Sequence, residues 1–339
     1  MKIICSILRY DYGDRSLGNS FEYEQFYLFL KEVYGNVILF GFDDALDGAK
    51  KRKVNNDLLE LVKKEKPDLV FFFIYTDQFI PDVLNEIRKY AKTINWFADD
   101  KWRFDSFSRH WCRYFDHVVT TDPDAVRKYK ETGYNTAVLS QWAINDSVCK
   151  KTDEEKKYDV VFVGQFNRYR KWVLKRLRRA GIDIAAFGWD RAGSGNIKKV
   201  SYGEMVRLYD QSRIVLNLSN SINWDVRFLL GEPMAGLSYL KGCFQGSLKN
   251  KEDIKARFFE ATGCGSFLLS YYVDHLEDYF VIGREMAIYT DIDNMIDKIK
   301  YYLKDEGQRE QIAHSGYVRT LSDHTYRKRF AEIFKAIGL

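Results

Sequence analysis

No two of the five cysteines in this chain stand in a CxxC pair. Cys5, Cys112, Cys149, Cys243 and Cys264 are scattered and odd in number, which argues for reduced thiols and the cytosol rather than a disulfide framework. The five histidines form no HxxxH or HExxH, so no metal site is expected. No apolar run nears the roughly 20 residues of a membrane span, and the N-terminal MKIICSILRYD is too short for a signal peptide and reads as a first strand. The phosphate-binding signatures GxxxxGK[ST] and GxGxxG are absent, as are low-complexity tracts and short-period repeats. A strong charge of one sign is also missing. Lys and Arg number 53 against 48 Asp and Glu, a net of +5. That excess is too mild for a dedicated nucleic-acid binder and suits anionic small molecules or a weak attraction to a membrane surface. The expected location is cytoplasmic, with at most peripheral contact at the inner face of the membrane.

What is present is apolar and aromatic. Of 339 residues, 46% are hydrophobic and 16% aromatic, enough for two domains with Tyr- and Phe-rich cores. Short apolar runs at 2–8, 37–40, 69–74, 93–97, 117–120 and 137–139 alternate with helical patterns at 21–34, 56–64, 82–91 and 124–132. The run LVFFFI is continuous, as in a parallel strand covered on both faces. A charged stretch, DSVCKKTDEEKK at 146–157, reads as a linker. The alternation then restarts, with strands at 159–163, 184–187, 214–218 and 287–290 and helices at 172–180, 202–211, 292–303 and 308–321. Residues 220–253 form a long irregular region. The expected architecture is α/β: two facing Rossmann-like, doubly wound parallel-sheet domains with an interdomain cleft, at 1–148 and 158–321. A last helix in 322–339 is expected to cross back to the first domain.

In such sheets ligands lie beyond the carboxyl ends of the strands. Four places there combine the right chemistry. After the first strand, DYGDRSLGN offers Tyr12 and Gly13 for close backbone approach to a ligand, or a plain connector. WFADDKWRFD sets Asp99 and Asp100 beside Trp96, Trp102 and Arg103. Aromatic planes next to carboxylates suit sugars, and one of the two aspartates suits a base on an acceptor hydroxyl, the other a structural cap. FVGQFNRYRK brings Gly164, Gln165, Asn167, Arg168, Arg170 and Lys171 to a strand end, where cations neutralise a diphosphate or simply form the wet face of a helix. Gly188 and Trp189 end the next strand and shape either a pocket for a base or ribose or a buried turn.

The most informative segment is IKARFFEATGCGSFLLS at 254–270, a short helix, a glycine turn and a buried strand. Lys255 and Arg257 at the helix start offer a seat for a pyrophosphate. Glu260, about one turn on, is placed for sugar hydroxyls of a bound nucleotide. An ordinary charged surface helix fits the same letters. Glu252 stands at an E-x7-E spacing from Glu260, a match that composition alone produces often, and it reads as coincidental.

The chain resembles the spore-maturation CgeB-like glycosyltransferases of the wider GT-B group. The resemblance covers most of the chain. It is carried by WFADDKWRFD, FDHVVTTDPDAVRKY, VLSQWAIN, FVGQFNRYRK, LYDQSRIVLNLSNS, KARFFEATGCGSFLL and LKDEGQREQIAHSGYVRTLSDHTYRKRF. It implies a donor held mainly by the second domain, with Arg257 on the diphosphate and Glu260 on the ribose hydroxyls. The place of the first glutamate of the family motif is taken here by Ser219–Ser221 and an insertion, so the resemblance implies neither a retaining nor an inverting outcome. The group generally needs no bound metal.

Together these readings point to a glycosyltransferase moving a sugar from a nucleotide-diphosphate donor to a hydroxyl of a glycan or similar acceptor. No cofactor and no nucleic acid are expected. A nucleotide-sugar epimerase or hydrolase on the same fold, and a non-catalytic module binding glycans or anions, are the alternatives.

Overall fold

The computed structural model describes residues 1–152, 154–190, 200–219, 225–237 and 252–339. The chain divides into two compact units, Met1–Gln141 with Tyr326–Leu339, and Trp142–Thr325.

The first unit is a six-stranded parallel sheet in the order β2-β1-β3-β4-β5-β6. Its strands are β1 (Ile3–Ile7), β2 (Val37–Gly41), β3 (Leu69–Phe72), β4 (Lys92–Phe97), β5 (His117–Thr120) and β6 (Ala137–Leu139). β1 and β3 are buried at every residue, as strands covered on both faces must be. Helices Lys51–Glu65, Pro81–Ile87 and Pro123–Glu131 make crossovers. The latter two start with proline, which lacks only an N–H that the first turn leaves unbonded anyway. The final helix, Tyr326–Ala336, belongs to this unit. Phe330 stacks on Phe29 at 5.6 Å and meets Phe26, Phe71 and Trp96, so the chain's last turns close an aromatic core begun at its first.

The second unit is a five-stranded parallel sheet in the order β11-β10-β9-β7-β8. Its strands are β7 (Tyr158–Phe166), β8 (Ile184–Asp190), β9 (Ser212–Leu216), β10 (Phe267–Tyr271) and β11 (Ala287–Tyr289). Both sheets are therefore parallel, doubly wound and Rossmann-like, as the alternating pattern leads one to expect. Residues 146–152, the start of the stretch read as a linker, lie in this unit. Cys149 is buried and its Sγ is 3.0 Å from the Tyr202 hydroxyl. No described helix is long and apolar enough to cross a membrane.

Strand order reverses between β1 and β3 in the first unit and between β7 and β9 in the second. The helices that follow β1 and β3, or β7 and β9, leave on opposite sides there, and the strand ends open into a crevice.

Candidate functional site

At the crevice of the second unit, Arg170 bridges the diverging strands. It donates from Nη1 to the Gln165 carbonyl at 2.8 Å, and from Nε and Nη2 to the carbonyls of Ser219 and Leu218 at 3.1 and 2.5 Å. It sits on the Arg168–Arg179 helix, whose N-cap is Asn167. The Asn167 amide oxygen accepts the Arg170 N–H at 2.8 Å. The acceptor oxygen of Asn167, a residue expected to meet the donor, thus serves as the helix cap. Arg170 is buried, and burial first, then repulsion by Arg257, pushes its pKa down to about 10.

Arg257 opens the Arg257–Gly263 helix and is half-buried. Its Nε donates to the Tyr209 hydroxyl at 3.2 Å and its Nη1 to Asn217 Oδ1 at 3.1 Å. The guanidinium lies over the Phe162 ring, 5.7 Å from its centre. Asn217, immediately after β9, is itself fixed by donating to Ser270 Oγ at 2.9 Å. Among the described residues no carboxylate forms an ion pair with Arg170 or Arg257.

The two glycines sit inside strands, not after them. β7 runs on to Phe166, and Gly164 lies in register with Gly188 of β8. A Cβ on Gly164 would stand 2.9 Å from Arg257 Nη2. One on Gly188, at φ 132°, would stand 2.1 Å from the Gly164 carbonyl oxygen. The close approach expected of these glycines to a ligand is thus made to Arg257 and between the strands themselves. Gln165 is exposed and Trp189 half-buried opposite it in the same register. Arg168 is exposed and Lys171 half-buried on the outer side of their helix.

Glu260 is 5% exposed. Burial pushes its pKa up to about 7, against the pull of Arg257 and a hydrogen bond from Tyr202. Glu252, read as coincidental, is brought to the end of β9, where its carboxylate accepts the Ser219 hydroxyl. Lys255 pairs with Asp253 at 3.3 Å. The second unit therefore gathers Arg170, Arg257, Asn217, Ser219, Glu252 and Glu260 around its strand ends. Tyr209 and Asn217 were missed. The signal for Asn217 is an amide closing the apolar run IVL, where a strand end at a crevice begins.

In the first unit, Tyr12 follows β1 and meets Tyr75, beyond β3, edge-on at 5.9 Å. Tyr12 holds φ 53°. Gly13 is explained by packing: a Cβ there would lie 2.4 Å from Leu46 Cδ1. Arg103 donates to the Tyr75 carbonyl at 2.9 Å and lies 4.2 Å from the centre of the Phe107 ring, with Trp102, half-buried, beside it. A small pocket here is lined by Phe73, Ile74, Tyr75, Phe97, Ala98, Asp99, Arg103, Phe107 and Ser108. Two expected acceptor-side residues are excluded from it. Trp96 is 0% exposed and belongs to the core around Phe26 and Phe330, because it lies within β4 rather than past its end. Asp100 is 0% exposed and its Oδ2 accepts the Tyr129 hydroxyl at 2.9 Å. Of the adjacent aspartates, only Asp99 faces the pocket.

Asp100 makes a pH prediction. Burial pushes its pKa up to about 7 from an ordinary 3.8. Between those values the folded chain holds a proton that the unfolded chain releases, so this group's contribution is complete below about pH 4 and is lost as pH rises through about 7. Asp100→Asn keeps an acceptor for Tyr129 and removes the titration. The melting temperature of the variant relative to wild type is expected to climb by several degrees from about pH 5 to about pH 8. A difference that does not move with pH would show that Asp100 is not a buried titrating acid.

Residues 168–335 match the model of the family described as glycosyl transferase-like. No curated protein matches the sequence. Among solved structures, HepE of Anabaena in complex with UDP and glucose superposes with a TM-score of 0.66 at 11% identity, over 100% of both chains. Sucrose-phosphate synthase from Thermosynechococcus elongatus gives 0.62 at 10% identity, over 99% of this chain and 98% of that one. A glycosyltransferase from Rickettsia africae gives 0.63 at 10% identity, over 99% and 98%. At such identities the likeness concerns the fold. The family match is of another kind: it starts at Arg168 and takes in β8 to β11 and the helix that carries Arg257 and Glu260. Residues 168–335 are thus similar to the glycosyl transferase-like family, and the chain has the two-sheet GT-B fold of the solved structures it resembles.

Proposed function

We propose that the protein transfers a sugar from a nucleoside-diphosphate donor to a hydroxyl of a glycan or similar acceptor, and that it is of the CgeB-like kind. The observation that carries this reading is Arg257: a half-buried cation at the strand-order reversal, hydrogen-bonded to the neutral groups of Tyr209 and Asn217 and paired with no carboxylate among the described residues. Glu260 attracts it without forming an ion pair and is itself pushed toward its protonated form by burial, so a desolvated cation here favours an arriving anion. A diphosphate answers that need, and UDP and glucose are the molecules named with the similar HepE structure.

In this reading Arg257, with Lys255, Arg168 and Lys171 contributing at longer range, takes up the negative charge that develops on the leaving diphosphate. No metal is required for that. Glu260 accepts hydrogen bonds from the ribose hydroxyls once ionised, and Glu252 with Ser219 lines the sugar end. Asp99 is assigned to the acceptor hydroxyl, with Tyr12, Tyr75 and Arg103 beside it.

The test is a thermal-shift series with UDP, GDP and dTDP, followed by release of nucleoside diphosphate from the matching sugar donor. One nucleotide at a hundred times its Kd is expected to stabilise the fold by about 2.7 kcal/mol, a shift of several degrees. Release is expected to require an added glycan and to persist with EDTA. A chain stabilised by none of the three would refute the donor reading. Release at full rate without acceptor would favour hydrolysis or epimerisation instead.

A further inference from the structure

The segment 225–237 plays no part in the donor reading. Four of its large apolar side chains nevertheless face solvent: Val226 is 62% exposed, Leu230 78%, Met234 72% and Leu237 63%. They come from helix Val226–Gly231 and the helical residues 233–237. Apolar side chains exposed singly are ordinary, but four within one short segment are not.

What lies beside them is cationic. Phe228, the buried residue of the Val226–Gly231 helix, packs against Trp172 and Tyr169 at 5.4 and 5.3 Å. A Cβ on Gly231 would stand 3.7 Å from Trp172 Nε1. The apolar segment is therefore docked on the Arg168–Arg179 helix, RYRKWVLKRLRR, which has seven cations in twelve residues and no acid. Arg176 lies over the Trp172 ring at 5.7 Å. Lys175, Arg178 and Arg179 are exposed, and no ion pair occupies them among the described residues. Asp225 is already held by Arg227 at 2.8 Å, leaving Glu232 as the exposed acid of the segment.

We propose that this face docks on an anionic lipid bilayer, the apolar side chains of 226–237 entering the headgroup boundary and the Lys175–Arg179 cations meeting lipid phosphates. Interfacial binding needs both parts: buried apolar area, and electrostatic attraction between cations near the surface and the lipid phosphates. A nucleic acid would use the cations and leave the apolar side chains wet. An uncharged protein surface would do the reverse.

The experiment is co-sedimentation of the full chain with vesicles of phosphatidylcholine alone, or with about one-third phosphatidylglycerol. Wild type is expected to bind the anionic vesicles, weakly or not at all the neutral ones, and less as salt rises. The double variants Leu230→Glu with Met234→Glu, and Lys175→Glu with Arg179→Glu, are each expected to weaken binding at least about tenfold. These positions are exposed, so melting temperature and any nucleotide-induced shift should match wild type, which separates this proposal from the donor reading. No binding to anionic vesicles, equal binding to neutral ones, or variants that bind as wild type does would each overturn it. So would capture of a single-stranded oligonucleotide without capture of vesicles.

Discussion

Arg257→Ala is expected to lower kcat/KM for sugar transfer by about a hundred- to a thousandfold, the effect of removing one charged donor from a developing anion in a water-poor site. The geometry says why the loss should be so large. Arg257 is held in one orientation by Tyr209 and Asn217, with Gly164 leaving room for Nη2 and Phe162 beneath the guanidinium plane. Such a group needs no reorganisation when charge appears on the diphosphate. Nor does a neighbour stand ready to replace it. Arg170 has three donors committed to the carbonyls of Gln165, Leu218 and Ser219, and Lys255 is paired with Asp253. Arg257→Lys keeps the charge but loses the fork that reaches Tyr209 and Asn217 together, so only partial recovery is expected. Titration calorimetry with the nucleoside diphosphate selected by thermal shift measures the binding part. Donor affinity unchanged in Arg257→Ala would take Arg257 out of the site, and with it the main support for the donor reading.

A graded consequence concerns pH. Burial pushes the Glu260 carboxyl up to about 7, with Arg257 pulling against that rise. If its carboxylate receives ribose hydroxyls, donor affinity should fall as pH drops through about 7, because a protonated carboxyl offers a weaker acceptor. Glu260→Gln should flatten that dependence while lowering affinity at about pH 8 by roughly tenfold, as expected for hydrogen bonds to a charged group. A pH profile of nucleotide binding that is the same for both proteins would remove Glu260 from the ribose.

How much of this could be read in the letters differs from one feature to the next. Both parallel sheets were legible, because runs such as LVFF and FLLS carry enough apolar side chains to be covered on both faces wherever they lie. The pairing partners were not. Gly164-Gln165-Phe166 reads as the end of a strand, since glycine and glutamine weaken an isolated one. It is carried on as strand because β8 pairs with it through Phe166 and Asp190. The same kind of distance hides the fate of Asp99 and Asp100. Two adjacent carboxylates look alike until Tyr129, twenty-nine residues on, takes one of them into the core. Trp96 was drawn into a site by its neighbours in sequence, although its place inside β4 commits it to the packed interior. Glu252 shows how little a spacing says about setting. Its spacing from Glu260 carries little information, and only the approach of 252 to Ser219 at the end of β9 gives it a setting.

Gly188→Ala is expected to be the most damaging single methyl in the second unit. Two costs coincide there. The backbone is at φ 132°, a conformation that L side chains rarely adopt, and the new Cβ would lie 2.1 Å from the Gly164 carbonyl oxygen and 2.8 and 2.9 Å from its carbonyl carbon and nitrogen. The obstruction is main chain, so no rotamer change relieves it. Either β8 moves off β7 or the peptide at 164 turns. Strain of about 1–3 kcal/mol from the dihedral and a similar amount from overpacking give about 2–6 kcal/mol together. For a unit of this size that is a fall in melting temperature of roughly 5–20 °C. The damage should also reach function, because displacing Gly164 moves the floor under Arg257 Nη2. Gly181→Ala is the control: it too has a positive φ, 79°, but no atom within 4 Å of the added Cβ. It carries the dihedral cost without the clash, so it should lose only a few degrees and leave nucleotide binding intact. Melting curves and nucleotide titrations on the two variants separate the terms, and equal losses in both would mean that the β7–β8 contact at Gly164 is not as close as described.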